Sequence, residues 1–218
     1  MEGSSLVRYF QLKEGSTQYN LKVKLENLFK HDNTKVKIPK NLIAETYGYN
    51  FNDKKQTVIK HIENYSIKKS SEIWASRNLK IPLKSIDELF IIASIIEKET
   101  SKNSEKQTIA GVFYNRMRTN MKLQSDPTVI YALSKGKEFN RQLTRRDTKY
   151  KSKFNTYHVK GLPPSPICFP GISSIYAAAN PKYSKYFYFV ANRKGGHFFS
   201  KDYKSHLEKI KLLKNNAK

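Results

Sequence analysis

Cysteine is almost absent. Cys168 stands alone, so no internal disulfide can staple the chain, and its apolar neighbours Ile167, Phe169 and Pro170 suit a packed, inert thiol. Long hydrophobic runs are missing too. The longest, residues 89–96, falls far short of the roughly 20 residues that a membrane-spanning helix needs. Met1-Glu2-Gly3-Ser4-Ser5 lacks the basic start and apolar core of a secretory leader. The five histidines, His31, His61, His158, His197 and His206, form neither an H-E-x-x-H motif nor a Cys/His spacing, so no metal and no other cofactor is expected. A phosphate-binding G-x-x-x-x-G-K-[ST] loop and a G-x-S-x-G nucleophile elbow are also lacking. Acidic residues are scarce, 18 against 41 basic ones, for a net charge of +23.

That charge comes from 33 lysines and 8 arginines spread along the whole chain, together with 17 asparagines. A sequence-specific nucleic-acid reader concentrates arginine, which reads guanine edges and stacks on bases. The pattern is instead a general compositional bias, and no specific nucleic-acid partner is expected. Any polyanion would still be attracted, whether nucleic acid, anionic lipid or an acidic wall polymer. With 218 residues, 14 Tyr and 12 Phe, the chain can bury one good-sized core and carry a small appendage.

The most informative stretch is residues 85–100. Ser85-Ile86-Asp87-Glu88 has the form of a capping box. From 89 to 96 every residue but Ser94 is apolar, as in a helix buried on all sides. Glu97 and Glu99 follow where this helix leaves the core. At roughly 100° per residue they lie about 200° apart, so one is expected in a cleft and the other toward solvent. Desolvation at the end of such a helix raises a carboxyl pKa and keeps a proton available near neutral pH. Glu97 is the better-placed acid on this reading, and a solvated helix-end residue is its bland alternative.

Around this helix the pattern is coarser. Residues 9–12 suit a short strand, and 19–29 a helix with Leu21, Leu25 and Leu28 on one side. Residues 37–49 read as extended or turn. Residues 53–77 read as a helix with Val58, Ile59, Ile62, Tyr65 and Trp74 inward, and 104–119 as another with Ile109, Val112, Phe113 and Met117 inward. Asp126-Pro127 starts a further helix. Gln124, Ser125 and Asp126 either line a site or simply cap that helix. Gly161-Leu162-Pro163-Pro164-Ser165-Pro166 is stiff. Residues 172–179 form a short helix, 186–190 and 195–200 a hairpin, and 201–213 a final helix. His197, after two glycines, suits either a substrate contact or a structural role. Residues 1–36 read as the remnant of an N-terminal domain and 37–218 as the main domain. The fold class is α+β, helix-rich, with a small C-terminal β-hairpin.

Several strings together carry a resemblance. These are Ala93-Ser94-Ile95-Ile96-Glu97-Lys98-Glu99-Thr100, Ala110-Gly111-Val112-Phe113-Tyr114-Asn115-Arg116, Leu123-Gln124-Ser125-Asp126-Pro127-Thr128-Val129-Ile130-Tyr131, Tyr157 with Gly161-Leu162-Pro163-Pro164, and Gly195-Gly196-His197-Phe198-Phe199-Ser200. In order and spacing they resemble the MltG-type (YceG-like) endolytic murein transglycosylases over about residues 38–212. The resemblance implies a lyase acting inside nascent peptidoglycan strands. It would cut the MurNAc–GlcNAc bond without water, leave 1,6-anhydro-MurNAc ends and so terminate strand elongation. It makes Glu97 the general acid/base. Glu99, Asn115, Gln124, Ser125, Asp126, Asn155 and Tyr157 become groove residues or supports of that groove.

Its implied partners are peptidoglycan glycan strands, with peptidoglycan synthases as further candidates. Its implied place is the extracytoplasmic face of the bacterial inner membrane. Family members carry an N-terminal membrane anchor and a LysM-like domain. Here residues 1–36 would be a truncated LysM-like remnant, and membrane proximity would come through a missing or separate anchor. The family's E-G-x-L-x-P-D-T-Y segment reads Pro39-Lys40-Asn41-Leu42-Ile43-Ala44-Glu45-Thr46-Tyr47, without Glu-Gly and Pro. The rival reading is a catalytically inactive basic scaffold or binding module for glycan or nucleic acid. It predicts binding that weakens steeply with salt and ignores Glu97→Gln.

Overall fold

The structure is a computed structural model that describes residues 7–215, so Met1–Ser5 lies outside the described residues. The order is β1 (Val7–Gln11), α1 (Gln18–Leu28), β2 (Thr46–Asn50), α2 (Lys55–Ala75), α3 (Ile86–Glu99), α4 (Asn103–Arg118), α5 (Asp126–Ser134), a 3-10 turn (Asp147–Lys149), α6 (Ile172–Ala179), β3 (Tyr188–Ala191), β4 (His197–Ser200) and α7 (Tyr203–Asn215). Among the described residues the fold is α+β, helix-rich, with two antiparallel strand pairs, β1–β2 and β3–β4.

Helix α3 is the centre. Its N-cap Ser85 accepts from the Glu88 N–H at 3.2 Å. The return half of the capping box is displaced by one residue, because Glu88 accepts from the Lys84 N–H at 2.6 Å. Residues 89 through 96 are all buried. Isoleucine costs a few tenths of a kcal/mol in a helix, whereas burying each large apolar side chain contributes about 1.5–3 kcal/mol. Burial therefore decides the conformation of Ile91, Ile92, Ile95 and Ile96. Helices α2, α4, α5 and α6 pack around α3. Ser94, the polar exception, binds its own helix through Ile91 O at 2.7 Å and accepts from the Ile167 N–H at 3.0 Å. It thereby fastens the segment leading into α6. The neighbouring Cys168 is buried against Ser94 O, and burial pushes its thiol pKa up.

A second core joins Phe10, Leu12, Leu21, Leu25, Leu42, Tyr47, Val58, Ile59 and Ile62 to Phe169. The register Val7↔Asn50 to Gln11↔Thr46 pairs β1 with β2. Leu28, placed with Leu21 and Leu25 by spacing, is 46 % exposed at the end of α1. Backbone bonds tie this layer to the chain before α6: Gly15 N to Phe169 O at 3.0 Å, Phe169 N to Ser16 O at 2.8 Å, and Ala44 N to Pro170 O at 2.9 Å. The loop after β1 is thus held beside the C-terminal end of α3. On the opposite flank, β3 packs on α4 through an edge-to-face Phe113–Phe189 contact with centroids 5.8 Å apart.

Candidate functional site

Two clefts meet at the end of α3, and Glu99 lines both. One, of about 430 Å³, is walled by Glu99, Arg116, Gln124, Asp126, Tyr157 and His197. The other, of about 620 Å³, runs past Glu14, Glu45, Thr46, Glu97, Lys98 and Lys106 under the β1–α1 loop.

The two carboxylates have surroundings unlike those expected from the helical wheel. Glu97 is not exposed at a helix end. Its side chain is 6 % exposed and pairs with Lys106, itself 2 % exposed, at 3.3 Å. It also accepts from the Gly171 N–H at 2.9 Å and the Ser174 hydroxyl at 2.7 Å, at the N-terminus of α6. A negative charge at a helix N-terminus is stabilised by the helix dipole. Lys106 Nζ also donates to Ser173 Oγ at 2.9 Å. Glu97 therefore locks α3, α4 and α6 together, with its oxygens already occupied by protein donors.

Glu99 is partly exposed in the clefts, and its carboxyl pKa is pushed up to about 7. Burial is the largest cause. The Asp126 charge adds to it, while the Ser125 hydroxyl and the Arg116 guanidinium pull the other way. Ser125 Oγ donates to Glu99 Oε1 at 2.5 Å. Ser125 occupies the N-cap position of α5 without making a side-chain cap bond, so the simple capping role does not apply. Its backbone is held instead by Thr156 and Thr128. Thr156 Oγ1 accepts from the Ser125 N–H at 3.0 Å, and Thr128 Oγ1 donates to Ser125 O at 2.6 Å. Gln124 adopts a left-handed φ of 52°, and its N–H donates to Thr156 O at 3.2 Å. Tyr157 Oη donates to Asp126 Oδ1 at 2.7 Å. The structure thus gathers Glu99, Gln124, Ser125, Asp126 and Tyr157 along one wall.

Asn115 and Asn155 are not brought to that wall. Asn115 Nδ2 donates to Ser184 O at 2.8 Å and Tyr186 O at 2.9 Å, clasping α4 to the chain before β3. Asn155 is fully buried and donates to Thr148 O and Tyr150 O, which shapes the loop carrying Tyr157. Both asparagines satisfy irregular backbone.

A model of the YceG-like family matches residues 1–212. The chain belongs to the YceG-like family. It is similar to the endolytic murein transglycosylase of Bacillus subtilis, with 37 % identity over 168 residues, covering 76 % of this chain and 45 % of that protein. It is also similar to the endolytic murein transglycosylase of Streptococcus pneumoniae D39, with 38 % identity over 110 residues, covering 50 % and 20 %. A crystal structure of a YceG-like protein from Listeria monocytogenes overlays with a TM-score of 0.66 at 31 % identity, covering 89 % of this chain and 65 % of that one. The chain spans less than half the length of the curated relatives it matches.

In this YceG-like chain, sequence reasoning passed over two residues that build the site. Arg116 is 7 % exposed and donates to Leu123 O at 2.8 Å and Phe187 O at 2.6 Å, fixing the loop before α5 against β3. Lys106 continues the inward stripe of Ile109, Ala110 and Phe113 at helical spacing. A charge on such a stripe signals a buried partner, and that signal was available. Among the described residues, no group of three or more His, Cys, Asp or Glu side chains could hold a metal ion, and no helix is long and apolar enough to cross a membrane.

Proposed function

We propose that this chain is a lytic transglycosylase that cleaves the MurNAc–GlcNAc bond inside peptidoglycan strands, with Glu99 as its general acid/base. The observation that carries this reading is the Glu99 carboxyl where two clefts meet, among hydrogen-bonding side chains and bound by Ser125 Oγ at 2.5 Å, a setting whose burial raises its pKa to about 7. A general acid works best when its pKa lies near the operating pH. Protonated Glu99 gives its proton to the glycosidic oxygen, and the C1–O bond breaks through an oxocarbenium-like state. The muramyl C6 oxygen then bonds to C1, and its proton returns to the Glu99 carboxylate. The proton count closes without water, and the product is a 1,6-anhydro end. Ser125 and Arg116 favour the ionised form that accepts this proton. Glu97, committed to Lys106 and α6, serves the scaffold. The relatives named endolytic murein transglycosylase support the reaction class.

On the same reading the enzyme works at the extracytoplasmic face of the membrane, on strands that synthases are still making. The test is mass spectrometry of purified glycan strands after incubation with the protein. Anhydromuramyl ends, one water lighter than reducing ends, support the proposal. Reducing ends would mean hydrolysis. No cleavage by folded protein would favour the basic scaffold, to which the net charge of +23 alone points.

A further inference from the structure

The cleft that holds Glu99 is also lined by β3 residues Phe189, Val190 and Ala191 and by His197, which are joined by a β3–β4 turn whose construction exceeds what a hairpin requires. Asn192 closes the turn unaided: its Oδ1 accepts from Lys194 N at 2.9 Å and Gly196 N at 3.0 Å, and its own N–H donates to Gly196 O at 2.7 Å. Gly195 has a φ of +73°. At Gly196 a Cβ would stand 2.4 Å from Glu105 Oε1, so this position must be bare for Glu105 to reach beneath the turn. Glu105, in the first turn of α4, accepts from the His197 N–H at 3.1 Å and contacts His197 Nδ1 at 2.7 Å. Rings from Phe189 and Phe199 flank the imidazole, with centroids at 5.4 and 6.3 Å. The His197 side chain is 11 % exposed and lines the cleft that holds Glu99.

An ionised carboxylate can only accept, so the Glu105 contact places a proton on Nδ1. In the neutral ring Nε2 is then an acceptor, and it has no protein partner among the described residues. A carboxylate-tethered imidazole with its second nitrogen left to a sugar-sized cleft is arranged to meet a ligand.

We infer that His197 is a glycan-recognition residue, its Nε2 accepting a hydrogen bond from a sugar hydroxyl or a 2-acetamido N–H beside the scissile bond. Glu105 is the positioning residue that sets its tautomer. The inference deepens the proposed function and rests on its assignment of the cleft to a glycan.

Asparagine and glutamine separate the two imidazole nitrogens: the Asn amide reaches the Nδ1 position, the Gln amide the Nε2 position. His197→Asn should keep the Glu105 bond and the fold, yet raise KM about tenfold with kcat little changed, the loss of about one net hydrogen bond. His197→Gln should return to within about threefold of wild type. The companion measurement is calorimetric binding of a peptide-free glycan oligomer in a Glu99→Gln background, where turnover cannot interfere. A tenfold loss from adding His197→Asn, recovered by His197→Gln, supports the inference. Unchanged KM and binding in His197→Asn overturns it even if wild type cleaves, because His197 is then structural. A wild type that makes no product while binding still depends on His197 overturns the lyase reading and leaves this inference standing.

Discussion

Replacing Lys106 with methionine removes the ammonium facing Glu97 while keeping most of the side-chain volume. The carboxylate, 6 % exposed, would then be a buried charge without its cation. Breaking a buried ion pair from one side costs about 3–5 kcal/mol. Glu97 would still accept from Gly171 and Ser174 at 2.9 and 2.7 Å, which places the expected loss near the lower bound, about 3 kcal/mol. For a chain of this length each kcal/mol moves Tm by about 2–4 °C, so Tm should fall by about 6–12 °C. Adding Glu97→Gln to Lys106→Met removes the orphaned charge and should recover stability to within about 1 kcal/mol of wild type. The assay is chemical denaturation of the four proteins of the cycle, read as midpoints at constant slope. Simple additivity of the two single substitutions would refute the coupling, and with it the placing of Glu97 in the scaffold.

The remaining expectations concern Glu99 and the helix contacts around it. The alkaline limb of the activity–pH profile should have its midpoint near 7, where Glu99 loses the proton it must donate. Ser125→Ala, which deletes a donor to the charged form, should move that limb to higher pH, and an unmoved limb would detach Ser125 from the acid. Glu99 ionises near 7 when folded against an ordinary 4.5. The stability of its protonated form is therefore complete below about 4.5 and lost as pH rises through about 7. Glu99→Gln should match wild type in unfolding free energy near pH 4.5 and exceed it at pH 8 by about 3 kcal/mol, read from denaturation midpoints at the two pH values. Gly111→Ala would set a Cβ 2.4 Å from the Lys182 carbonyl oxygen, and Lys182 is itself bound to Gln107 O. A loss of about 1–3 kcal/mol in the denaturation midpoint is expected.

Periodicity made the scaffold legible where burial is continuous. Ser85 starts α3 and residues 172–179 form α6 because the apolar pattern there admits one solution. The β1–β2 pair was harder, since β2 carries Gly48 and only Tyr47 of its five residues is buried, which gives weak alternation. The strings that line the clefts were legible, but the contacts that each carboxylate makes were not. A helical wheel gives the angle between Glu97 and Glu99, yet what meets each carboxylate comes from elsewhere. Lys106 arrives from α4 and Gly171 and Ser174 from α6, while Ser125 comes from the loop before α5. Nothing local distinguishes an asparagine that binds sugar from one that, like Asn115, holds the carbonyls of Ser184 and Tyr186. The Glu105–His197 pair spans 92 positions, so the glycines before His197 could not decide between a substrate contact and a structural role.

The central claim is that the working carboxyl is Glu99 and that Glu97 is part of the frame. The decisive measurement is the rate of anhydromuramyl-end formation by wild type, Glu97→Gln and Glu99→Gln on the same glycan strands, normalised to folded protein. The account predicts that Glu99→Gln abolishes product while remaining folded, and that Glu97→Gln, where folded, still forms it. Product from folded Glu99→Gln, together with none from folded Glu97→Gln, would contradict the account and return the acid/base role to Glu97.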